Sequence, residues 1–205
     1  MTPGDRVAAP PASGERIVLL LRHGETPWSR AGRHTGRSDV PLTDCGRAEA
    51  RVAGRRLAGI RIDRVLTSPL VRARETCELA GFGAGAKVCD ALVEWDYGAY
   101  EGRTTAEIRA ERPGWSLFRD GCPDGESAAR VGARIDPLVA RLRPAGGSWL
   151  LVAHGHVLRV LAARWTGLEP QAGALFELGT AATCVLGFEH GAPVLRRWND
   201  TGELP

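Results

Sequence analysis

Two short runs limit what this chain can fold into. Residues 16–21, with Ile17-Val18-Leu19-Leu20-Leu21 at their heart, and Ser148-Trp149-Leu150-Leu151-Val152-Ala153 are β-rich and lack polar alternation. Such a strand is buried on both faces, as in a parallel sheet covered by helices on each side. Both runs lead into a histidine followed by a glycine, His23-Gly24 and His154-Gly155. The apolar run from Ile17 to Leu21 is far too short for a membrane span or a signal-peptide core.

Helical segments separate the strands. Residues 44–58 read as a helix with Thr43 as N-cap. Val65-Leu66 is a brief strand candidate. Ser68-Pro69 is expected to open a second helix, with Ser68 as N-cap and Pro69 at the first helical position, ending near Gly81. Residues 103–112 look helical and stop at Pro113-Gly114. Over residues 126–142, Val131, Ile135, Leu138, Val139 and Leu142 form a helical stripe. Val157 to Trp165 is helical, and β-rich segments at 182–188 and 193–198 flank His190-Gly191. The alternation predicts an α/β fold: a three-layer α/β/α sandwich around a mostly parallel central sheet. The 205 residues suit one domain over 16–205, after a loose Pro-, Gly- and Ala-rich tail at 1–15.

Composition removes several classes. With 43% hydrophobic and 25% charged residues the chain is not disordered. Lys87 is the only lysine, so 26 of the 27 basic residues are arginine. A GC-rich genome accounts for most of that bias. A net charge of +3 with scattered arginines is too weak for nucleic acid, but it suits small anions. Cys45, Cys77, Cys89, Cys122 and Cys184 are odd in number and include no CxxC pair. That argues against a disulfide framework or a zinc ribbon, and for a reduced cytoplasmic setting. No membrane and no nucleic-acid partner is expected.

The chemistry collects at the strand ends. If the two buried strands are parallel neighbours, His23 and His154 open into one crevice. The glycine after each histidine lets backbone N–H groups approach an anion, and a helix N-terminus after His154 adds partial positive charge. Arg22 precedes His23, and Arg72 lies in the first turns of the helix after Ser68. Any one of these four side chains alone is more often structural. Together they make a phosphoryl pocket.

The segment Leu21-Arg22-His23-Gly24-Glu25-Thr26 resembles the signature of the histidine phosphatase superfamily, with its phosphoglycerate-mutase-like fold. The likeness continues through Thr35-Gly36, Pro41-Leu42-Thr43, Thr67-Ser68-Pro69-Leu70-Val71-Arg72-Ala73, Glu94-Trp95-Asp96-Tyr97-Gly98-Ala99-Tyr100-Glu101-Gly102 and Ala153-His154-Gly155-His156. It implies His23 as the nucleophile that accepts the phosphoryl group, with Arg22, Arg72 and His154 holding its oxygens. Glu94 is implied as proton donor to the leaving oxygen and then as base for water. Ser29, Thr35, Gly36, Gly155 and His156 are implied as further substrate contacts. No metal and no cofactor is implied. For Glu94 to donate a proton, burial or the nearby Asp96 and Glu101 would have to raise its pKa.

The family holds mutases as well as phosphatases. Mutases carry an inserted basic segment after the acid motif. Here the stretch from Arg103 to Ser116 is short, Thr105 stands in place of the substrate lysine, and Ser29 in place of an asparagine. The Glu94–Gly102 motif, with the segment from Trp115 to Ser127, is similar to a branch of broad-specificity acid phosphatases and sugar-phosphate phosphatases. Small phosphorylated metabolites are the expected partners, and a homodimer is an allowed assembly. The alternatives are a phosphoglycerate mutase and a non-catalytic phospho-ligand binding protein.

Other motifs carry less. His154-Gly155-His156 has the spacing of a metal-binding pair, but few further ligands remain in the chain. Cys45 and Arg51 match the Cys-x5-Arg spacing on what reads as a helix, so the thiol is expected to be inert. The glycines from Gly81 to Gly85 follow a helix, not a strand, and fail the context of a dinucleotide fingerprint. Trp28, Trp95 and Trp115 read equally as a specificity lid or as core.

Overall fold

The computed structural model describes residues 16–202, so the expected tail at 1–15 lies outside the described residues. Among the described residues the sheet has six strands: β1 (Ile17–Arg22), β2 (Arg64–Thr67), β3 (Lys87–Val88), β4 (Ser148–Ala153), β5 (Thr183–Glu189) and β6 (Ala192–Asp200). Their order is β3-β2-β4-β1-β5-β6. β3, β2, β4 and β1 pair in parallel, while β5 runs against both β1 and β6. The expected fold class holds. Every residue of β4 and nearly every residue of β1 is buried, as their unalternated sequences require.

Among the described residues seven α-helices accompany the sheet: α1 (Pro27–Arg30), α2 (Asp44–Leu57), α3 (Val71–Leu79), α4 (Thr105–Glu111), α5 (Leu117–Asp120), α6 (Ala128–Leu142) and α7 (Gly155–Trp165). Ala53 and Leu57 of α2 and Ala73 and Cys77 of α3 pack with Leu19, Leu21 and Val152 on one face. Val131, Ile135 and Leu138 of α6 pack with Val157 and Leu161 of α7 on the other, against Leu20 and Leu151. The helices that follow the neighbouring strands β1 and β4 therefore go to opposite faces. That divergence opens a crevice beyond the carboxyl ends of those two strands, where ligands of α/β sheets bind.

Thr43 caps α2 as expected, its hydroxyl accepting from the Gly46 N–H at 3.0 Å. The expectation for Ser68 fails. The second helix starts at Val71 with Leu70 at the cap and no side-chain bond from its own cap residue. Asp39 accepts the Val71 N–H instead, at 2.6 Å. The Ser68 hydroxyl meets the His154 ring 2.7 Å away, so a long-range partner overrides the local capping rule.

Candidate active site

β1 and β4 bring Arg22 opposite Ala153 in parallel register. One residue on, the His23 N–H donates to the Ala153 carbonyl at 2.9 Å, and the His23 carbonyl accepts from the Ala181 N–H at 3.1 Å. The nucleophile candidate is thus held by sheet bonds on both sides. Its loop crosses closely over the start of α2. A Cβ on Gly24 would lie 2.2 Å from the Gly46 carbonyl oxygen, so only glycine fits.

The ring of His23 has a fixed tautomer. Nδ1 lies 2.7 Å from the Gly24 carbonyl, which can only accept, so Nδ1 carries the proton. Nε2 keeps its lone pair. The residue is only 4% exposed yet lines the cleft. Burial, then the charges of Arg72 and Arg22, hold its pKa well below the usual 6.5. The imidazole is therefore held neutral, as a nucleophile must be.

Arg22 lines the same cleft. One terminal nitrogen donates to the Leu178 carbonyl. Its Nε is buried and has no hydrogen-bond partner among the described residues. A buried, unpaired donor of a cation is costly unless something anionic meets it.

Arg72 and His154 stand behind this pair, and both are fully buried. Arg72 donates from Nε to His154 Nδ1 at 3.1 Å, and its terminal nitrogens reach the carbonyls of Ser38, Thr35 and Gly36 at 2.9 to 3.0 Å. His154 Nδ1 accepts, so Nε2 carries the proton and donates to Ser68. The His154 ring is 5.2 Å from that of His23. The expected juxtaposition of the two histidines is present. In this state both nitrogens of His154 are engaged, and the ring orients Arg72.

Glu94 lines the same cleft as His23. Its Oε1 accepts from the Trp95 and Val157 N–H groups at 2.9 Å, and Oε2 from the His156 N–H at 3.0 Å. Two of those donors belong to the first turn of α7. A carboxylate offers about four acceptor sites. Three are filled, which leaves one for a proton or a water. Asp96 and Glu101, expected to act on Glu94, are engaged elsewhere. Asp96 accepts from the Gly98 N–H and pairs with Arg37 at 3.5 Å. Glu101 accepts from the Gly36 and Ser38 N–H groups.

The cleft holds about 270 Å³. Ser29, Thr35, Gly155 and His156 line it as expected, but Gly36 does not. Gly36 is buried, with its N–H on Glu101 and its carbonyl on Arg72. Trp95 and Trp115 are core residues, and Trp28 packs over Gly102. The Cys45 thiol is exposed, with Glu49 chief among the groups that push its pKa up, so it is inert as expected.

Seven lining residues were not singled out as site residues from the sequence: Gly32, Arg33, His34, Tyr97, Thr105, Arg159 and Leu178. The Tyr97 hydroxyl is hydrogen-bonded to His156 Nδ1 at 2.6 Å. The His34 ring lies 4.8 Å from that of Tyr97, and Thr105 Oγ1 lies 3.3 Å from His34 Nε2. Burial lowers His34 to about 4, and burial with Arg159 holds His156 well below its usual value. Tyr97 was within reach of sequence reasoning, three residues after Glu94. His34 carried no signal, because its meeting with Tyr97 is a product of tertiary packing.

Among the described residues no group of three or more His, Cys, Asp or Glu side chains is arranged to hold a metal. His154 and His156 do not act as a pair, since their ring nitrogens turn to different partners.

Comparison with known proteins agrees with this geometry. The family model for the histidine phosphatase superfamily (branch 1) matches residues 18–201. The chain is 44% identical to an acid phosphatase of Mycobacterium tuberculosis over 189 residues, covering 90% of this chain and 93% of the relative. It is 36% identical to the sedoheptulose 1,7-bisphosphatase of Saccharomyces cerevisiae, over 75% of this chain and 68% of that one. A solved structure of an open reading frame product from Mycobacterium tuberculosis superposes with a TM-score of 0.87 at 44% identity, covering 92% of this chain and 99% of its own. The chain belongs to the histidine phosphatase superfamily, branch 1, and is a phosphatase.

Proposed function

We propose that this phosphatase hydrolyses small phosphorylated metabolites, sugar phosphates above all, through a phosphohistidine on His23. The observation that carries the reading is the open Nε2 of His23, with Nδ1–H fixed on Gly24, beside the unpaired Nε of Arg22. Nε2 attacks phosphorus, the ester P–O bond breaks, and Glu94 gives its proton to the departing alkoxide. Glu94, now a base, takes a proton from water. The water oxygen then displaces His23 from phosphorus, and inorganic phosphate leaves. Two easier displacements replace one hard one. Arg22 and the backbone around Gly155 hold the phosphoryl oxygens, with the charge of Arg72 behind them.

The far part of the cleft supports a sugar as the leaving group. His34, Thr35, Tyr97, Thr105 and His156 offer neutral donors and acceptors suited to hydroxyl groups, and Arg33 and Arg159 add positive charge at the same cleft. The relative named a sugar bisphosphatase points the same way. The stretch from Arg103 to Ser116 folds as α4 and the turn after it, with Thr105 at the cleft and no basic insertion, which favours a phosphatase over a mutase. Five free cysteines support a reduced, cytoplasmic setting.

Rapid acid-free quench with a labelled phosphate ester tests the reading. An acid-labile, base-stable phosphate on His23 is expected. In a panel of phosphorylated metabolites, phosphate release from sugar phosphates is expected to exceed isomerisation of 3-phosphoglycerate. No trapped phosphoenzyme, or isomerisation outpacing release, overturns it.

A further inference from the structure

The segment from Trp115 to Ser127 stood out in the sequence, yet Glu126 does not line the cleft. It packs behind the strand-like stretch that carries Glu94. Arg134 of α6 donates to Glu126 with two parallel bonds, Nε to Oε1 and a terminal nitrogen to Oε2, both at 3.0 Å. Its other N–H groups reach the carbonyls of Ala91 at 2.7 Å, Val93 at 2.8 Å and Glu94 at 3.5 Å. All five donors of one guanidinium are thus in use, three of them on the backbone that bears the acid. Glu126 completes the hold. Its Oε2 accepts from the Asp96 N–H at 2.9 Å, its own N–H donates to the Asp96 carbonyl at 2.8 Å, and its carbonyl accepts from the Trp95 indole at 2.9 Å.

The two segments touch at backbone distance. A Cβ on Gly125 would lie 2.4 Å from the Asp96 carbonyl oxygen and 2.8 Å from the Gly98 nitrogen, so a larger residue would push the acid segment away. Glu94 is consequently fixed from two sides. The first turn of α7 holds its carboxylate, and the Arg134–Glu126 pair holds its main chain. Neither bond set alone defines where the carboxyl points. The α7 amides set its tip and the pair sets its root.

We propose that Arg134 and Glu126 are positioning residues for proton donation by Glu94. The pair touches no substrate. It keeps the carboxyl within reach of the leaving oxygen, and the need for that reach depends on the ester. An alkoxide leaving group requires a proton in the transition state, whereas an activated aryl oxide departs without one. Loss of the clamp therefore penalises alkyl esters selectively. A shift of about 1 Å at a reacting group costs on the order of 10²-fold in rate.

The proposal rests on Glu94 as the acid, and the experiment separates the two. kcat/KM, which reports the phosphorylation step in which the ester leaving group departs, is measured for glycerol 1-phosphate and for 4-nitrophenyl phosphate in wild type, Arg134→Met, Arg134→Lys, Glu126→Gln and Glu94→Gln, and in Arg134→Met combined with Glu94→Gln. Arg134→Met is expected to lower kcat/KM on the alkyl ester about tenfold more than on the aryl ester. Arg134→Lys, which keeps the charge but loses the fork, is expected to show the same selectivity, and it serves if the methionine variant does not fold. In the Glu94→Gln background the arginine change is expected to add no further selectivity. Equal losses on both esters, or undiminished selectivity without Glu94, overturn the positioning role and leave the acid assignment standing. If Glu94→Gln itself shows no preference between the esters, the acid assignment falls and the positioning role falls with it.

Discussion

The two ends of the cleft are built differently. The phosphate end hangs on the sheet. Arg22 and His23 continue β1 and His154 continues β4, and the register of those strands fixes where each side chain starts. The leaving-group end hangs on loops and short helices. Glu94, Tyr97, His34 and Thr105 come from irregular segments or helix starts, held by side-chain bonds to backbone and to one another. The phosphoryl group is the same in every substrate, so a rigid frame serves it. The departing alcohol varies, and loops can change without disturbing the sheet.

That contrast breaks first at the nucleophile. His23→Ala is expected to abolish phosphoenzyme and to lower kcat by roughly 10⁴-fold or more on every ester, because the covalent route is lost. Activity within tenfold of wild type, measured on both alkyl and aryl esters, would remove the nucleophile assignment. Arg72→Lys probes the same end at lower cost. It keeps a cation but cannot reach His154 and the carbonyls of Thr35, Gly36 and Ser38 together. A loss of roughly 10²-fold is expected, equal for alkyl and aryl esters. A loss confined to alkyl esters would erase the distinction between the two ends.

Glu94→Gln examines the loop-built end. Glutamine keeps much of the shape but cannot give up a proton. On alkyl phosphates a loss of about 10²–10⁴-fold is expected, and on 4-nitrophenyl phosphate much less. kcat/KM for a series of leaving groups, which reports the first displacement alone, gives the answer directly. A flat dependence on leaving-group acidity in wild type, unchanged in the variant, would mean that no group at this end donates a proton.

The same division governs what the sequence reveals. β1, β4 and the His-Gly ends were legible because burial on both faces leaves an unmistakable pattern, and because register carries the side chains that follow. Thr43 was legible because capping is local. Ser68 was misread for the complementary reason: its hydroxyl takes the His154 ring, 86 positions away in the chain, and locally reaches only the Leu70 N–H just before the helix. β3 is two exposed residues with no periodicity to detect. Gly36 was placed at the substrate by the family resemblance, yet its amide and carbonyl serve Glu101 and Arg72. The meeting of His34, Tyr97 and His156 exists only after β4, α4 and the loop between Glu94 and Thr104 have packed. No spacing rule reports it.

The smallest expected effect concerns acid stability, and it belongs to the loop-built end. His34 titrates at about 4 in the folded chain because it is buried, against an ordinary 6.5. Between those values the unfolded chain binds a proton that the folded chain refuses. Stability therefore rises with pH across that window. The contribution is intact at pH 7.5 and is lost progressively as pH falls through 6.5 toward 4. Linkage with these two pKa values gives a loss of about 2 kcal/mol by pH 5. His23, His154 and His156 are held low as well, so they add losses of the same sign. Comparing wild type with His34→Gln isolates one share, since the other three histidines are common to both. The drop in Tm between pH 7.5 and pH 5 is expected to be smaller in the variant by roughly 4–8 °C, at about 2–4 °C per kcal/mol for a chain of this size. An identical drop in both proteins would mean that His34 is not held neutral by its burial. The hydroxyl-binding wall beside Tyr97 would then carry a positive charge in acid, and the pairing of a charged phosphate end with a neutral sugar end would fail there.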